Sequence, residues 1–241
     1  MMISDKAVEA IQQSVQTEVV LIEGREYVTR EVFDPPAEPT VRTLTVHTLT
    51  GMIDFLTDAQ PRITEDTLLL HVVSPTEVHL CGLPSGREKV RNLYCAASAV
   101  VGGKFPFERF LDPETFVVNL QSQFVNTETT ESILAIIGNL SDATVKTNVD
   151  DGVSQSVTIK VGIAREANTE VKNPVELQPF RTFAEIEQPA SQYILRLKRG
   201  QGNELPTVAL FEVVDNRWQL EAIKAIKDFL TGKVSDVPII A

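Results

Sequence analysis

Few side chains in this 241-residue chain stand close enough in sequence to do chemistry together. Asp150 and Asp151 are adjacent and run into Gly152. Glu185 and Glu187 lie two apart. His71, His79 and Cys81 sit among leucines and valines. Paired carboxylates can divide acid and base work on a glycoside. On an extended strand His79 and Cys81 share a face, and His71 on a paired neighbour can approach them, which is the minimum for a zinc or thiol site. Neither pattern is complete. An oxygen-ligated metal needs further acids at defined spacing. A Cys–His nucleophile needs a third, orienting group, and none can be assigned. The expectation is no metal and no cofactor, with His71, His79 and Cys81 as the weak candidates and a filled sheet face as their ordinary role.

Two basic clusters interrupt an acidic background. Arg87, Lys89 and Arg91 alternate and would share one face of a strand, with Lys104 and Arg109 downstream. Arg196, Lys198 and Arg199 stand near the Gln-Gly-Asn-Glu turn at 201–204. Such patches can contact phosphates or another anionic partner. Aromatic residues are not interleaved with them, so base stacking along a single strand is poorly supported. Arg181, after Gln-Pro-Phe, is a further candidate. It can grip a carboxylate with two parallel hydrogen bonds and fix a sheet, or take a ligand, and the structural role is the expected one.

The chain has 22 Lys and Arg against 33 Asp and Glu, a formal net charge of −11. That balance disfavours general binding to nucleic acid or to anionic membranes. At this length roughly 70–75% of the unfolded surface is buried, so no disulfide or metal is needed to hold a core. Cys81 and Cys95 are too few for a secreted disulfide framework, and a reducing cytosol is expected. The opening residues lack the apolar core of a secretory leader. No apolar run reaches the roughly 18–20 residues that span a bilayer. No nucleophile elbow, phosphate loop, dinucleotide fingerprint or zinc-protease motif occurs. Val-Gly-Gly-Lys at 101–104 lacks phosphate-loop spacing and reads as a turn.

The elements that must position these residues alternate in type. Residues 4–17 read as a helix capped by Ser4. Val-Val-Leu-Ile-Glu-Gly-Arg-Glu-Tyr-Val reads as a hairpin turning at Glu23-Gly24. Pro35, Pro36 and Pro39 then stop regular structure. Residues 41–47 read as a strand and 49–57 as a short helix. Three strands follow in a meander across residues 66–97, the third being helical as an alternative. Asp112 caps a helix that opens on Pro113, and a second helix covers about 128–139. Val145, Thr147 and Val149 alternate before the paired acids, and Val157, Ile159, Val161 and Ile163 after them. Asp-Gly between such runs is a strong hairpin signal, so Asp150 and Asp151 are expected to decorate a turn. Phe105, Phe107 and Phe110 are expected to fill the core. Asn173–Phe180 reads as extended and loop-like, two strands flank residues 201–206, and an amphipathic helix with Gly232 at its end precedes an apolar tail able to dock on the body or on a neighbour. The fold class is α+β, mainly antiparallel hairpins and meanders with several amphipathic helices. Residues 1–40 hold the first helix, hairpin and Pro-rich loop, and 41–241 the main domain; one continuous domain over 1–241 is the alternative.

The segments FPFERFLDPETFVVNLQSQF, DATVKTNVDDGVSQSVTIKVGIA, NPVELQPFRTFAEIEQPASQYILRL and ALFEVVDNRWQLEAIKAI resemble the YfdQ-like family of tailed-phage and prophage proteins. The resemblance spans about residues 104–230, LQPFRTFAEIEQPAS is its most specific part, and it implies that partner contacts would lie around Arg181 and Gln188. It implies a phage-encoded protein in a bacterial host cytoplasm and carries over no active site. With no complete catalytic set, the expected function is a non-enzymatic accessory protein that self-associates and binds an unidentified host or phage protein. A virion or shell component, a nucleic-acid-binding protein of phage DNA metabolism, and an enzyme using His79 with Cys81 or a carboxylate pair are the alternatives.

Overall fold

The computed structural model describes residues 19–28, 42–59, 67–84, 89–138, 140, 147–150, 155–161, 165–171, 173–198, 206–213 and 216–241; for 147–150, 155–161 and 165–171 it describes the backbone alone. The chain divides into a smaller unit, Met1–Thr40 with Gly86–Val90, and a larger one, Val41–Ser85 with Arg91–Ala241. The expected helix over 4–17, the Pro-rich loop, Arg87 and Arg199 lie outside the described residues.

In the smaller unit β1 (Val19–Ile22) pairs antiparallel with β2 (Arg25–Val28), from Val19 opposite Val28 to Ile22 opposite Arg25. The turn is Glu23-Gly24, both with positive φ, 49° and 79°. That pair of dihedrals makes the two-residue turn whose twist matches the strands, and glycine supplies the second at no steric cost.

The larger unit contains two cores. In the first, α2 (Pro113–Gln123) and α3 (Glu128–Gly138) cover the sheet β10 (Val175–Leu177), β11 (Ser191–Lys198) and β12 (Thr207–Glu212). Phe116, Leu120, Ile133 and Ile137 project from the helices onto Leu177, Tyr193, Leu195, Val208 and Leu210. In the second, α1 (Leu49–Ala59) and α4 (Arg217–Thr231) pack against a five-stranded sheet ordered β13-β4-β5-β6-β3. Its strands are β3 (Leu44–Val46), β4 (Leu68–Ser74), β5 (Glu77–Gly82), β6 (Leu93–Ser98) and β13 (Ile239–Ile240). The expected meander forms its antiparallel middle, while both outer strands are parallel, β3 to β6 and β13 to β4. The apolar tail therefore docks on its own chain. A third sheet runs β7 (Thr147–Asp150), β8 (Gln155–Val161) and β9 (Arg165–Val171).

Local chemistry explains the helix starts. Asp112 accepts the backbone N–H of Thr115 at 2.9 Å, and Pro113 occupies the first helical position, where its missing N–H costs nothing. At α1, Thr48 Oγ1 accepts Gly51 N–H at 3.0 Å. Glu185, from a distant loop, accepts Thr50 N–H at 3.1 Å. Its negative charge sits at the positive end of the helix. One of the two paired glutamates is thus a helix cap, and Glu187 is exposed.

Several expectations are corrected. The expected hairpin forms between β7 and β8, but Asp150 is the last strand residue, paired with Gln155, and Asp151 and Gly152 lie outside the described residues. Phe105 is buried, but Phe110 lies exposed, edge-on to Phe211 at 6.3 Å. Asn173–Phe180 contains the short strand β10 as well as loop. Polar β9 carries no apolar alternation that could have announced it.

The Asp112 carboxyl titrates below its usual 3.8 because its charged form accepts the Thr115 N–H. A depressed folded-state pKa contributes stability above the unfolded value, and that contribution is lost as pH falls through the lowered one. Asp112→Ala is expected to cost about 1 kcal/mol at neutral pH, as cap removal does. Urea titrations should show the gap from the parent closing in acid.

Candidate functional site

The segment from Gln178 to Ala190 joins the two cores. Phe124 bridges to Pro179 at its start, with Val125 N–H on Gln178 O at 2.8 Å and Phe180 N–H on Gln123 O at 2.9 Å. Further along, Phe183 and Ile186 enter the second core, and Thr182 Oγ1 donates to Pro75 O. A segment with no ladder must find other partners for its backbone. Gln188 supplies them. Its Oε1 accepts Arg181 N–H at 2.9 Å and Thr182 N–H at 3.2 Å, and its Nε2 donates to Phe183 O at 3.0 Å.

Arg181 stands where the segment crosses between cores. Its Nη1 meets Glu212 Oε1 at 3.3 Å. Its Nη2 donates to Pro189 O at 3.0 Å and to Ser191 Oγ at 2.6 Å. The guanidinium lies 3.9 Å from the ring centre of Trp218, an attractive cation–π contact from the start of α4. Burial pulls the Arg181 pKa down, opposed by Tyr193 and Glu212. The expected bidentate pairing with a carboxylate is not formed; the fork is split between Glu212, a carbonyl and a hydroxyl. Tyr193 lies beneath, stacked on Phe107 at 5.5 Å and 10°. Its pKa is raised far above the usual value, chiefly by burial, so the hydroxyl stays neutral.

These groups line a pocket of about 630 Å³. Its wall takes Phe105, Phe107, Gln123 and Tyr193 from the first core, Thr76 and Trp218 from the second, and Val101, Gly103 and Lys104 from the chain between β6 and α2. The Val-Gly-Gly-Lys stretch, read from sequence as a turn, is irregular chain with no turn, and Val101, Gly103 and Lys104 form pocket wall. Neither Gly102 nor Gly103 requires positive φ.

The other candidates are dispersed. His71 and His79 are direct cross-strand partners, and His79 Nε2 meets Glu77 Oε1 at 2.8 Å. The β4–β5 ladder runs regularly from Leu68 opposite Gly82 to Val72 opposite Val78, so His79 and Cys81 share a face of β5; the register shift at this point lies in β6, where Tyr94 is the extra residue. Cys81 is buried, its Sγ donating to Leu69 O at 3.6 Å. Among the described residues no three His, Cys, Asp or Glu side chains converge on a metal position. Burial raises the Cys81 thiol, against the opposing field of Arg91, and pushes Cys95 up to about 11. Both stay protonated at neutral pH and are poor nucleophiles.

Lys89 has a left-handed backbone, φ 55°, and β6 begins only at Leu93, so the strand that would have aligned Lys89 with Arg91 does not form. Arg196 and Lys198 lie on β11, where Lys198 Nζ stands 5.7 Å from the Phe110 ring. Sequence reasoning reached Arg181 and Gln188 but missed Tyr193, Glu212 and Trp218. The one available signal was a tyrosine alternating with leucines on β11, an uncommon polar tip in a buried row.

No helix among the described residues is long and apolar enough to cross a membrane. No family model, curated protein or solved structure matches the chain.

Gln188→Ala leaves the Arg181 and Thr182 N–H groups without their acceptor. It should lower unfolding stability by at least about 2 kcal/mol in denaturant titrations. Trp218 fluorescence should also change in the folded state, because the segment that carries Arg181 loosens.

Proposed function

We propose that the chain is a non-enzymatic accessory protein that self-associates through β1 and binds a macromolecular partner. The observation that carries this reading is the outer edge of β1. Val19, Val20, Leu21 and Ile22 are exposed by 62%, 38%, 68% and 54%, on both faces of the strand. Among the described residues β1 pairs with β2 alone. Soluble proteins commonly blunt such an edge with lysine, proline or a bulge, and this one has none of them. The strand also carries no charge, so a second copy can approach it despite the acidic composition. Antiparallel pairing of β1 with its counterpart makes a symmetric, self-closing contact.

The groups best suited to chemistry are occupied structurally, which supports a binding role over a catalytic one. Glu185 caps α1, His79 is held by Glu77, and Arg181 is shared among three acceptors. The phage setting and the bacterial cytoplasm rest on the resemblance of residues 104–230.

Ile22 and Arg25 flank the two-residue turn, so the ladder spends the N–H groups of Ile22 and Val20 on β2 and directs those of Val19 and Leu21 outward. Leu21→Pro removes one outward donor and leaves the hairpin paired, since proline is tolerated on an edge facing away from its partner. Native mass spectrometry should show an even-numbered assembly for the parent and its half for the variant. A parent that is monomeric at micromolar concentration would sink the self-association reading. A large closed assembly would favour the shell alternative.

A further inference from the structure

Three buried side-chain atoms among the described residues have no hydrogen-bond partner: Gln123 Oε1, Arg181 Nε and the Tyr193 hydroxyl. They come from α2, from the joining segment and from β11, and all three residues line the same pocket. Each unmet group costs about 1–3 kcal/mol, so three at one place need an explanation. The alternatives within the fold are closed. Gln123 Nε2 is held by Asn119 Oδ1 at 2.8 Å, which fixes the amide with its oxygen as the unpaired end. Both terminal nitrogens of Arg181 are engaged, leaving Nε–H as a donor. The Tyr193 hydroxyl lies near Arg181 and Glu212 without a well-formed bond to either. Tyr193 itself is 0% exposed.

The missing partner must therefore offer a donor to Gln123 and an acceptor to Arg181, with Tyr193 able to serve either. The walls restrict its shape. Phe105, Phe107, Phe180 and Trp218 present ring surface, which favours a flat partner. The volume, about 630 Å³, is in the range that holds a small molecule. Phe107 and Trp218 are only half-buried, and rotation of either admits a ring beside the shielded atoms. We propose that this pocket binds a small planar heterocycle carrying an N–H beside a C=O, the lactam edge of a nucleobase, with the C=O on Arg181 Nε–H and the N–H on Gln123 Oε1. The site is independent of the β1 edge.

Trp218 is the single tryptophan of the chain, so its emission reports on the pocket directly. The full chain is titrated with uridine and with guanosine, and with 3-methyluridine and 1-methylguanosine, whose lactam N–H is blocked. Excitation at the red edge of tryptophan absorption and parallel calorimetry guard against absorption by the ligand. At least one unmodified nucleoside should give a saturable change, and its methylated form should bind on the order of tenfold more weakly. Tyr193→Phe should weaken binding about fivefold, the worth of one hydrogen bond, without lowering the melting midpoint, because the hydroxyl it removes has no partner in the fold. Gly103→Leu should block binding while folding normally, since a Cβ at Gly103 meets nothing within 4 Å. The proposal falls if neither nucleoside gives a saturable signal, or if the methylated forms bind equally. It falls too if benzoate binds where nucleosides do not, or if Tyr193→Phe lowers the midpoint.

Discussion

The larger unit depends on how one irregular segment crosses between two cores. Residues 178–190 leave the first core at Pro179 and enter the second at Phe183, with no sheet to absorb their polar backbone. Gln188 replaces that sheet, accepting two N–H groups and donating to Phe183 O. Arg181 then ties the crossing to β12 through Glu212, to β11 through Ser191 and to α4 through Trp218. A neutral or shorter side chain reaches none of these together. Arginine does so because its donors diverge in a fixed plane whose face is free to stack.

The same requirement makes the pocket. Two cores joined by a thread leave a seam, and the aromatic side chains that line it have apolar surface to cover but only one core each to cover it against. Phe105 turns into the first core, edge-on to Phe116 and Phe124 at 5.5 and 5.3 Å, and leaves a ring edge to the seam. Buried polar atoms accumulate there because β11 and α2 end their apolar rows at Tyr193 and Gln123.

Local rules made much of this fold legible. Asp112-Pro113 announces a helix start through its own hydrogen bond, Glu23-Gly24 announces a turn through its dihedrals, and the apolar alternation of β4, β5 and β11 shows in residue types. Parallel pairing of β3 with β6 does not show, because nothing local distinguishes it from an antiparallel edge. The extra residue at Tyr94, which shifts β6 against β5, also escapes, since strict alternation is the premise of reading a face. The site was half legible for the same reason. Arg181 and Gln188 draw notice within the one segment that carries the resemblance, whereas Tyr193, Glu212 and Trp218 join them only through tertiary geometry. Lys89 shows the converse, an alternation of residue types whose middle member has φ 55° and is not extended.

The parallel pairing of β13 with β4 bears on the order in which the chain can fold. Ile239 and Ile240 lie against Leu70 and His71, among the longest sequence separations bridged in the molecule. During synthesis the apolar edge of β4 emerges early and waits for almost the whole remaining chain before its neighbour exists. Such non-local closure is slow, and an uncovered strand edge is open to other chains meanwhile. The last strand is only two residues long, yet it shuts the side of the sheet that stays open longest.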